Sequence, residues 1–334
     1  MRTIVKALAV LVFVINLYAQ PTFIEANKAP GSFSRMGFSV RGMAMGNVGA
    51  ALRTGELSPL YNPAASVYQQ GNSFNTGYSI MSMDRSLNLL SFTRRFDFYS
   101  DADSLNPNAE PRSTAGASIG LINAGVSNID QRDAHGFKLD ELSTSENLFY
   151  LSFANKFSRK LSIGFLARFY YYSLYEDITT TSFGFDIGAL YVINDNFAVG
   201  LTLSDINTKY KWDTTPLYGT DGLNTTDKFP LRKVLAVNYQ ATNKSYIVGV
   251  EYVSDNMGTS FLRAGGEYSI FEKFVVRAGL DNVVFSSNEI PALPTAGFGY
   301  SDELMGLATT VQYAFIGEPY TPAGRHSIGI VVNF

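Results

Sequence analysis

Apolar and polar positions alternate with a period of two through most of this chain. From Leu161 to Tyr171 one phase reads Leu161, Ile163, Phe165, Ala167, Phe169 and Tyr171, while the other holds Ser162, Gly164, Arg168 and Tyr170. From Phe183 to Tyr191, Phe183, Phe185, Ile187, Ala189 and Tyr191 alternate with Gly184, Asp186, Gly188 and Leu190. Phe197, Val199, Leu201 and Leu203 are set against Ala198, Gly200 and Thr202, and Leu307 to Phe315 follows the same rule. Successive side chains of a strand point to opposite faces, so each segment is a strand with one greasy and one small or polar face. The pattern predicts strands at 74–83, 87–96, 112–125, 147–157, 161–174, 181–193, 196–205, 231–241, 245–254, 260–271, 274–282, 294–301, 305–316 and 324–334. Fourteen is an even number, as single-chain bacterial barrels require. The predicted fold class is all-β: a 14-stranded antiparallel transmembrane barrel over 73–334, with outward side chains in lipid.

The connections support an up-and-down order. Near Ser158-Arg159-Lys160, Asn194-Asp195, Thr242-Asn243-Lys244, Phe271-Glu272-Lys273 and Asp302-Glu303 they are short. The alternate set, near 126–146, 175–180, 206–230, 255–259, 283–293 and 317–323, is mostly longer and rich in Asn, Asp, Thr, Gly and Pro. Short turns belong to the periplasmic side and longer loops to the outside. One connection breaks the rule, because 97–111 is long and falls among the short turns.

Composition agrees with this reading. Of 334 residues, 14% are aromatic and 16% charged, against about 25% charged in globular proteins. Mean hydropathy is nonetheless close to zero. A net charge of −3 suggests neither nucleic acid nor an anionic surface as partner. There is no cysteine, hence no disulfide framework and no thiol for a lipid anchor. At the N-terminus Arg2 and Lys6 precede an apolar run, Ala7 to Leu17, and then Tyr18-Ala19-Gln20. That is a signal-peptide pattern over 1–19, with cleavage expected near Ala19. The run is shorter than the ~20 residues a spanning helix needs.

Residues 20–72 do not alternate. Gly37 to Ala51 reads Gly-Phe-Ser-Val-Arg-Gly-Met-Ala-Met-Gly-Asn-Val-Gly-Ala-Ala, and Tyr61-Asn62-Pro63-Ala64 follows. Asn62 reads as a cap and Pro63 as the first position of a short helix. In these two blocks the chain resembles the PorV/PorQ family, relatives of the FadL-type fatty-acid transporters of the outer membrane. The resemblance rests on Arg41, Ala44, Met45, Gly46, the Gly49-Ala50-Ala51 step, Tyr61, Asn62, Pro63 and Ala64. The chain departs from the family pattern at Gly42-Met43, at Asn47-Val48 and at Tyr61, where Trp is frequent. The resemblance implies that 20–72 fold into the lumen as a hatch, and that the protein resides in a Gram-negative outer membrane. It implies a component of type IX secretion that binds exported proteins or machinery, or alternatively a barrel for uptake of hydrophobic small molecules. The last strand, Ser327 to Phe334, turns Ile328, Ile330, Val332 and Phe334 to lipid and ends on an aromatic residue. That ending resembles the assembly signal of outer-membrane proteins, which assigns Ile330, Val332 and Phe334 to it. The barrel assembly machinery and outer-membrane lipid are therefore expected partners.

Candidate chemistry is sparse. Arg168, Asp186, Glu251, Arg263, Glu267 and Arg277 carry charge on the non-lipid phase of consecutive strands. They either pair to brace the wall and hold the hatch, or form a polar port for a ligand headgroup. The two histidines, His135 near Asp130 and Asp133, and His326 at the last strand, sit in no recognisable nucleophile motif. No enzymatic activity and no cofactor is expected. Asp101, Asp103, Asn106 and Glu110 offer oxygen ligands suited to calcium, but their spacing is not that of an EF-hand, and a solvated polar loop is the favoured reading over a calcium site. Trp212, with Tyr210, Lys211 and Tyr218, reads as an aromatic external patch that is either an interfacial anchor or a partner contact.

Overall fold

The computed structural model describes residues 28–99, 110–175, 178–285, 290–318, 321 and 323–334. The N-terminal signal pattern, Asp101, Asp103 and Asn106 lie outside these residues. Sixteen strands run in chain order: β1 (Asn72–Ile80), β2 (Arg85–Phe98), β3 (Ser113–Arg132), β4 (Lys138–Lys156), β5 (Leu161–Tyr175), β6 (Ile178–Val192), β7 (Phe197–Ile206), β8 (Lys209–Asp213) and β9 (Asn224–Lys228) come first. Then come β10 (Arg232–Gln240), β11 (Tyr246–Asp255), β12 (Ser260–Phe271), β13 (Phe274–Val283), β14 (Leu293–Leu304), β15 (Leu307–Ile316) and β16 (Arg325–Asn333). Fourteen of them form one closed antiparallel barrel, with each predicted strand at its place. β8 and β9 form a separate two-stranded hairpin.

Closure is made by β1 and β16, in register from Ser73↔Asn333 to Ile80↔His326. Beyond the ladder, the Asn72 N–H donates to the Phe334 carbonyl at 2.9 Å and the Phe334 N–H to the Asn72 carbonyl at 3.0 Å. A closed barrel leaves no unpaired edge, which is what a hydrocarbon surrounding demands. Outward positions carry the belt: Ile119, Phe153, Phe183, Leu201, Val250 and Ile328 are all exposed. Inward positions alternate with them and are buried, as β6 shows over its whole length.

Three connections differ from the sequence pattern, one being 206–230, read as a loop, which holds the β8–β9 hairpin. Residues 126–146 are not a loop: β3 runs on to Arg132 and β4 begins at Lys138, so the two continue beyond the barrel as a long hairpin. The last short turn lies at Met305-Gly306, a little past Asp302-Glu303. Both turn residues have φ near the left-handed region (54° and 80°), the type I′ geometry that matches strand twist.

Residues 28–71 fill the lumen. They hold one helical turn, α1 (Val40–Ala44), capped by the Ser39 hydroxyl, which accepts from the Gly42 N–H. Pro63–Tyr68 forms a 3-10 helix capped by the Asn62 side chain, with Pro63 at its first position. Met43, Ala44, Met45, Asn62 and Ala64 are fully buried although no independent domain surrounds them. A segment this small and Gly/Ala-rich cannot bury its own surface; the barrel wall supplies the second layer.

Candidate functional site

The two N-terminal blocks are joined to each other before they are joined to the wall. A Cβ at Gly42 or at Gly49 would run into the Tyr61 ring, so these glycines let the ring lie between the blocks. The Tyr61 hydroxyl donates to Asn47 Oδ1 (2.8 Å) and accepts the Phe38 N–H (3.2 Å). Asn62 Nδ2 donates to the Ala50 carbonyl at 2.7 Å and to the Ala189 carbonyl of β6 at 3.0 Å.

Four of the charged residues singled out in sequence meet this unit. Arg41 donates from Nε and Nη2 to the two Glu267 oxygens, at 2.9 and 2.5 Å, and from Nη1 to the carbonyls of Thr54 and Glu56 at 2.5 and 2.9 Å. Arg277 Nε donates to the same Glu267 at 3.1 Å, so one carboxylate lies between two guanidiniums. Glu251 accepts the Gly49 and Ala50 N–H groups, each at 2.7 Å. Consecutive N–H groups converging on one oxygen are an anion-binding concavity of the backbone. Glu251 and Arg263 are directly opposed across β11 and β12, yet Arg263 Nε donates instead to Asp281 at 2.6 Å. Asp281 also accepts from Asn47 Nδ2 at 2.7 Å. Thr295 closes the set: its hydroxyl accepts the Gly46 N–H at 2.9 Å and donates to the Ala44 carbonyl at 3.0 Å. Asp281 and Thr295 were not singled out in sequence, because nothing local marks their partners; Asn47 and Tyr61 entered only as positions within the two N-terminal blocks.

Arg168 and Asp186, the remaining pair, are fully buried elsewhere on the inward face. Arg168 Nε donates to both Asp186 oxygens at 2.9 Å, and its Nη1 donates to the Tyr170 hydroxyl at 3.1 Å. Tyr170 donates in turn to Asp205 at 2.7 Å. The guanidiniums of Arg168 and Arg232 lie 5.9 and 5.7 Å from the Phe38 ring centre, in cation–π range.

Beyond this layer, toward the loop rim, the inward face turns apolar. Leu87, Ile122 and Leu148 of β2 to β4 are buried together with Phe33, Met43 and Met81, while Leu166 of β5 lies opposite Asp186, in the Arg168 layer itself. The mouth is covered by the β8–β9 hairpin. Its backbone bonds to inward hydroxyls of β6: Lys209 N–H to Ser182 at 3.0 Å, Lys211 N–H to Thr180 at 3.2 Å. Tyr210 is therefore not part of an external patch. It is buried, donates to Glu146 at 2.8 Å, and contacts the rings of Tyr170, Tyr172, Trp212 and Phe229. Trp212 packs on Tyr172 at 5.4 Å and donates to Asp227 at 2.9 Å, while Tyr218 stays exposed. Two arginines not singled out in sequence, Arg232 and Arg325, are also buried in this half. Arg232 Nε and Arg325 Nε and Nη1 have no hydrogen-bond partner among the described residues.

The other sequence candidates are local. His135 is exposed 3.9 Å from Asp133, and Asp130 pairs with Arg132 and Lys138. His326 Nδ1 shares a hydrogen bond with the Tyr313 hydroxyl at 2.7 Å. Glu110 pairs with Arg159 at 2.8 Å. Among the described residues no cluster of His, Asp and Glu is arranged to hold a metal. Ile330 and Phe334 face outward as expected, with Val332 on the same phase.

No family model and no curated protein matches the chain. Solved structures do. The toluene transporter TodX of Pseudomonas putida superposes with a TM-score of 0.57 at 14% identity, over 89% of this chain and 96% of that one. The toluene transporter TbuX of Ralstonia pickettii gives 0.55 at 14% identity, over 89% and 97%. A FadL homologue of Pseudomonas aeruginosa gives 0.51 at 12% identity, over 88% and 96%. The fold is that of the FadL-type barrels.

Proposed function

We propose that this chain is an outer-membrane barrel for passage of hydrophobic small molecules, with residues 28–71 as its hatch. The observation that carries this reading is the apolar upper lumen. A channel for sugars or ions presents polar side chains to its water-filled interior. Here Leu87, Ile122, Leu148 and the ring cluster around Tyr210 face inward instead. A largely apolar site with a few convergent polar groups suits a hydrophobic ligand, and the free donors of Arg232 and Arg325 suit its polar end. The fold likeness to barrels described as toluene transporters supports the same reading. The mature chain begins near Gln20 on this view, after signal-peptide removal. The test is uptake by proteoliposomes. Entry of a monoaromatic hydrocarbon or a fatty acid, with no entry of a sugar of similar mass, is expected; equal rates with and without the barrel refute it.

A second reading, a secretion component that binds exported proteins, is favoured by the two N-terminal blocks alone. It ranks below uptake, because the blocks are engaged with the barrel wall through Arg41, Gly49 and Asn62 and leave no motif surface for a partner. A genome without type IX components and matching C-terminal sorting domains removes its basis.

A further inference from the structure

The lipid-facing wall is uneven. Where most of the belt carries Phe, Leu, Ile or Tyr, β3 turns Ala115 and Ala117 outward near the C-terminal rim. Their cross-strand partners are Phe96 and Arg94 on β2, and Asn155 and Phe153 on β4. The result is a groove of about 720 Å³, walled by Phe96, Phe98, Phe153, Phe157 and Phe165. That volume lies within the roughly 300–1,000 Å³ typical of ligand sites. A Cβ at Gly116 would meet the backbone of Ser66, and one at Gly164 the backbone of Pro63 and Ala64, so the wall is one backbone thick where the hatch presses on it.

The rim of this groove is positive. Arg94 points outward and lays its guanidinium 5.0 Å over the Phe96 ring. Arg112 directly precedes β3, and Lys160 directly precedes β5. None of the three has a carboxylate partner among the described residues, whereas neighbouring Arg95 and Arg159 are paired with Asp97 and Glu110. An apolar cleft at bilayer depth beside cations that have no carboxylate partner among the described residues fits a molecule with acyl chains and a phosphate.

We propose that this groove binds one anionic phospholipid of the facing leaflet. Its chains lie on Ala115 and Ala117 between the phenylalanines, and its phosphate meets Arg94, with Arg112 and Lys160 beside it. The site rests on the membrane-barrel reading, and the experiment separates the two. The detergent-purified barrel is first inserted into vesicles, then examined by native mass spectrometry with equal phosphatidylglycerol and phosphatidylcholine. One phosphatidylglycerol per barrel is expected, favoured about five-fold or more for each basic contact. Arg94→Gln should reduce that preference by about five-fold. Ala117→Trp, or the milder Ala117→Leu if the former does not fold, should remove the retained lipid while heat-modifiability stays normal. Equal retention of the two lipids by the wild type, or undiminished retention in a folded groove-filling variant, overturns the site. So does a photo-crosslinker at 117 that captures protein in place of lipid. A wild-type barrel that fails to insert into vesicles refutes the membrane reading itself.

Discussion

Arg41→Ala offers the sharpest perturbation of the hatch. The substitution removes two charge-assisted hydrogen bonds to Glu267 and two to the Thr54 and Glu56 carbonyls. Glu267 keeps Arg277, at 3.1 Å, but loses its bidentate partner. Both side chains of the broken pair are largely buried, 3% and 13% exposed, so solvent screening does not rescue the loss. Removing one member of a buried pair typically costs about 3–5 kcal/mol. The barrel ladders do not depend on Arg41, so the cost falls on seating of the hatch. At roughly tenfold per 1.4 kcal/mol, the unseated population should rise by about a hundred- to a few thousandfold. Hydrogen exchange reads this directly. Amides of Gly42 to Ala51 should lose protection by that factor, while those of β10 to β13 exchange as in the wild type. Hydrocarbon entry into proteoliposomes should quicken if the hatch is the barrier. Hatch amides protected to within tenfold of the wild type would show that Arg41 is not what holds this segment.

Removing the Tyr210 hydroxyl by Tyr210→Phe breaks its bond to Glu146, worth about 1.5–3 kcal/mol for a charged partner. With Leu148→Cys as the sole thiol of the chain, labelling at the mouth should accelerate about tenfold or more, and an unchanged rate would exclude the hairpin as a cover. Gly49→Ala places a methyl against the Tyr61 ring and should loosen the hatch more than Tyr61→Phe, which forfeits one hydrogen bond worth about 1 kcal/mol. Exchange protection of Asn47 to Ala51 ranks the two, and the reverse order would refute the packing argument. Deleting Val332 to Phe334 removes the Phe74↔Val332 and Ser73↔Asn333 pairs and both Asn72–Phe334 bonds. Heat-modifiable protein in the outer membrane should then fall sharply; normal levels would refute the assembly-signal assignment.

The number and order of the barrel strands, and which phase of each faces outward, were readable before any coordinates, whereas the β8–β9 hairpin was not. Alternation is a property of neighbouring residues, and a wall with lipid on one side imposes it continuously from Phe183 to Tyr191 or from Ile328 to Phe334. It fails where both faces meet water. The distal parts of β3 and β4, with Asp130, Lys138, Asp140 and Glu141, carry no apolar phase, and so a hairpin read as a loop. The reordering of the functional readings has a similar origin: inward Leu87, Ile122 and Leu148 reveal an apolar lumen only once the strands close around them. Partnership was the part that tertiary structure alone decided. Arg41 and Glu267 are 226 residues apart, and only barrel closure and the hatch's entry bring them together. Glu251 and Arg263 oppose each other across one ladder, as adjacent strands predict, yet they do not pair. Two backbone N–H groups from Gly49 and Ala50 reach Glu251, and Asp281 takes Arg263. A buried charge pairs with whichever donors leave the fewest polar groups unsatisfied, and that competition involves segments far apart in the chain.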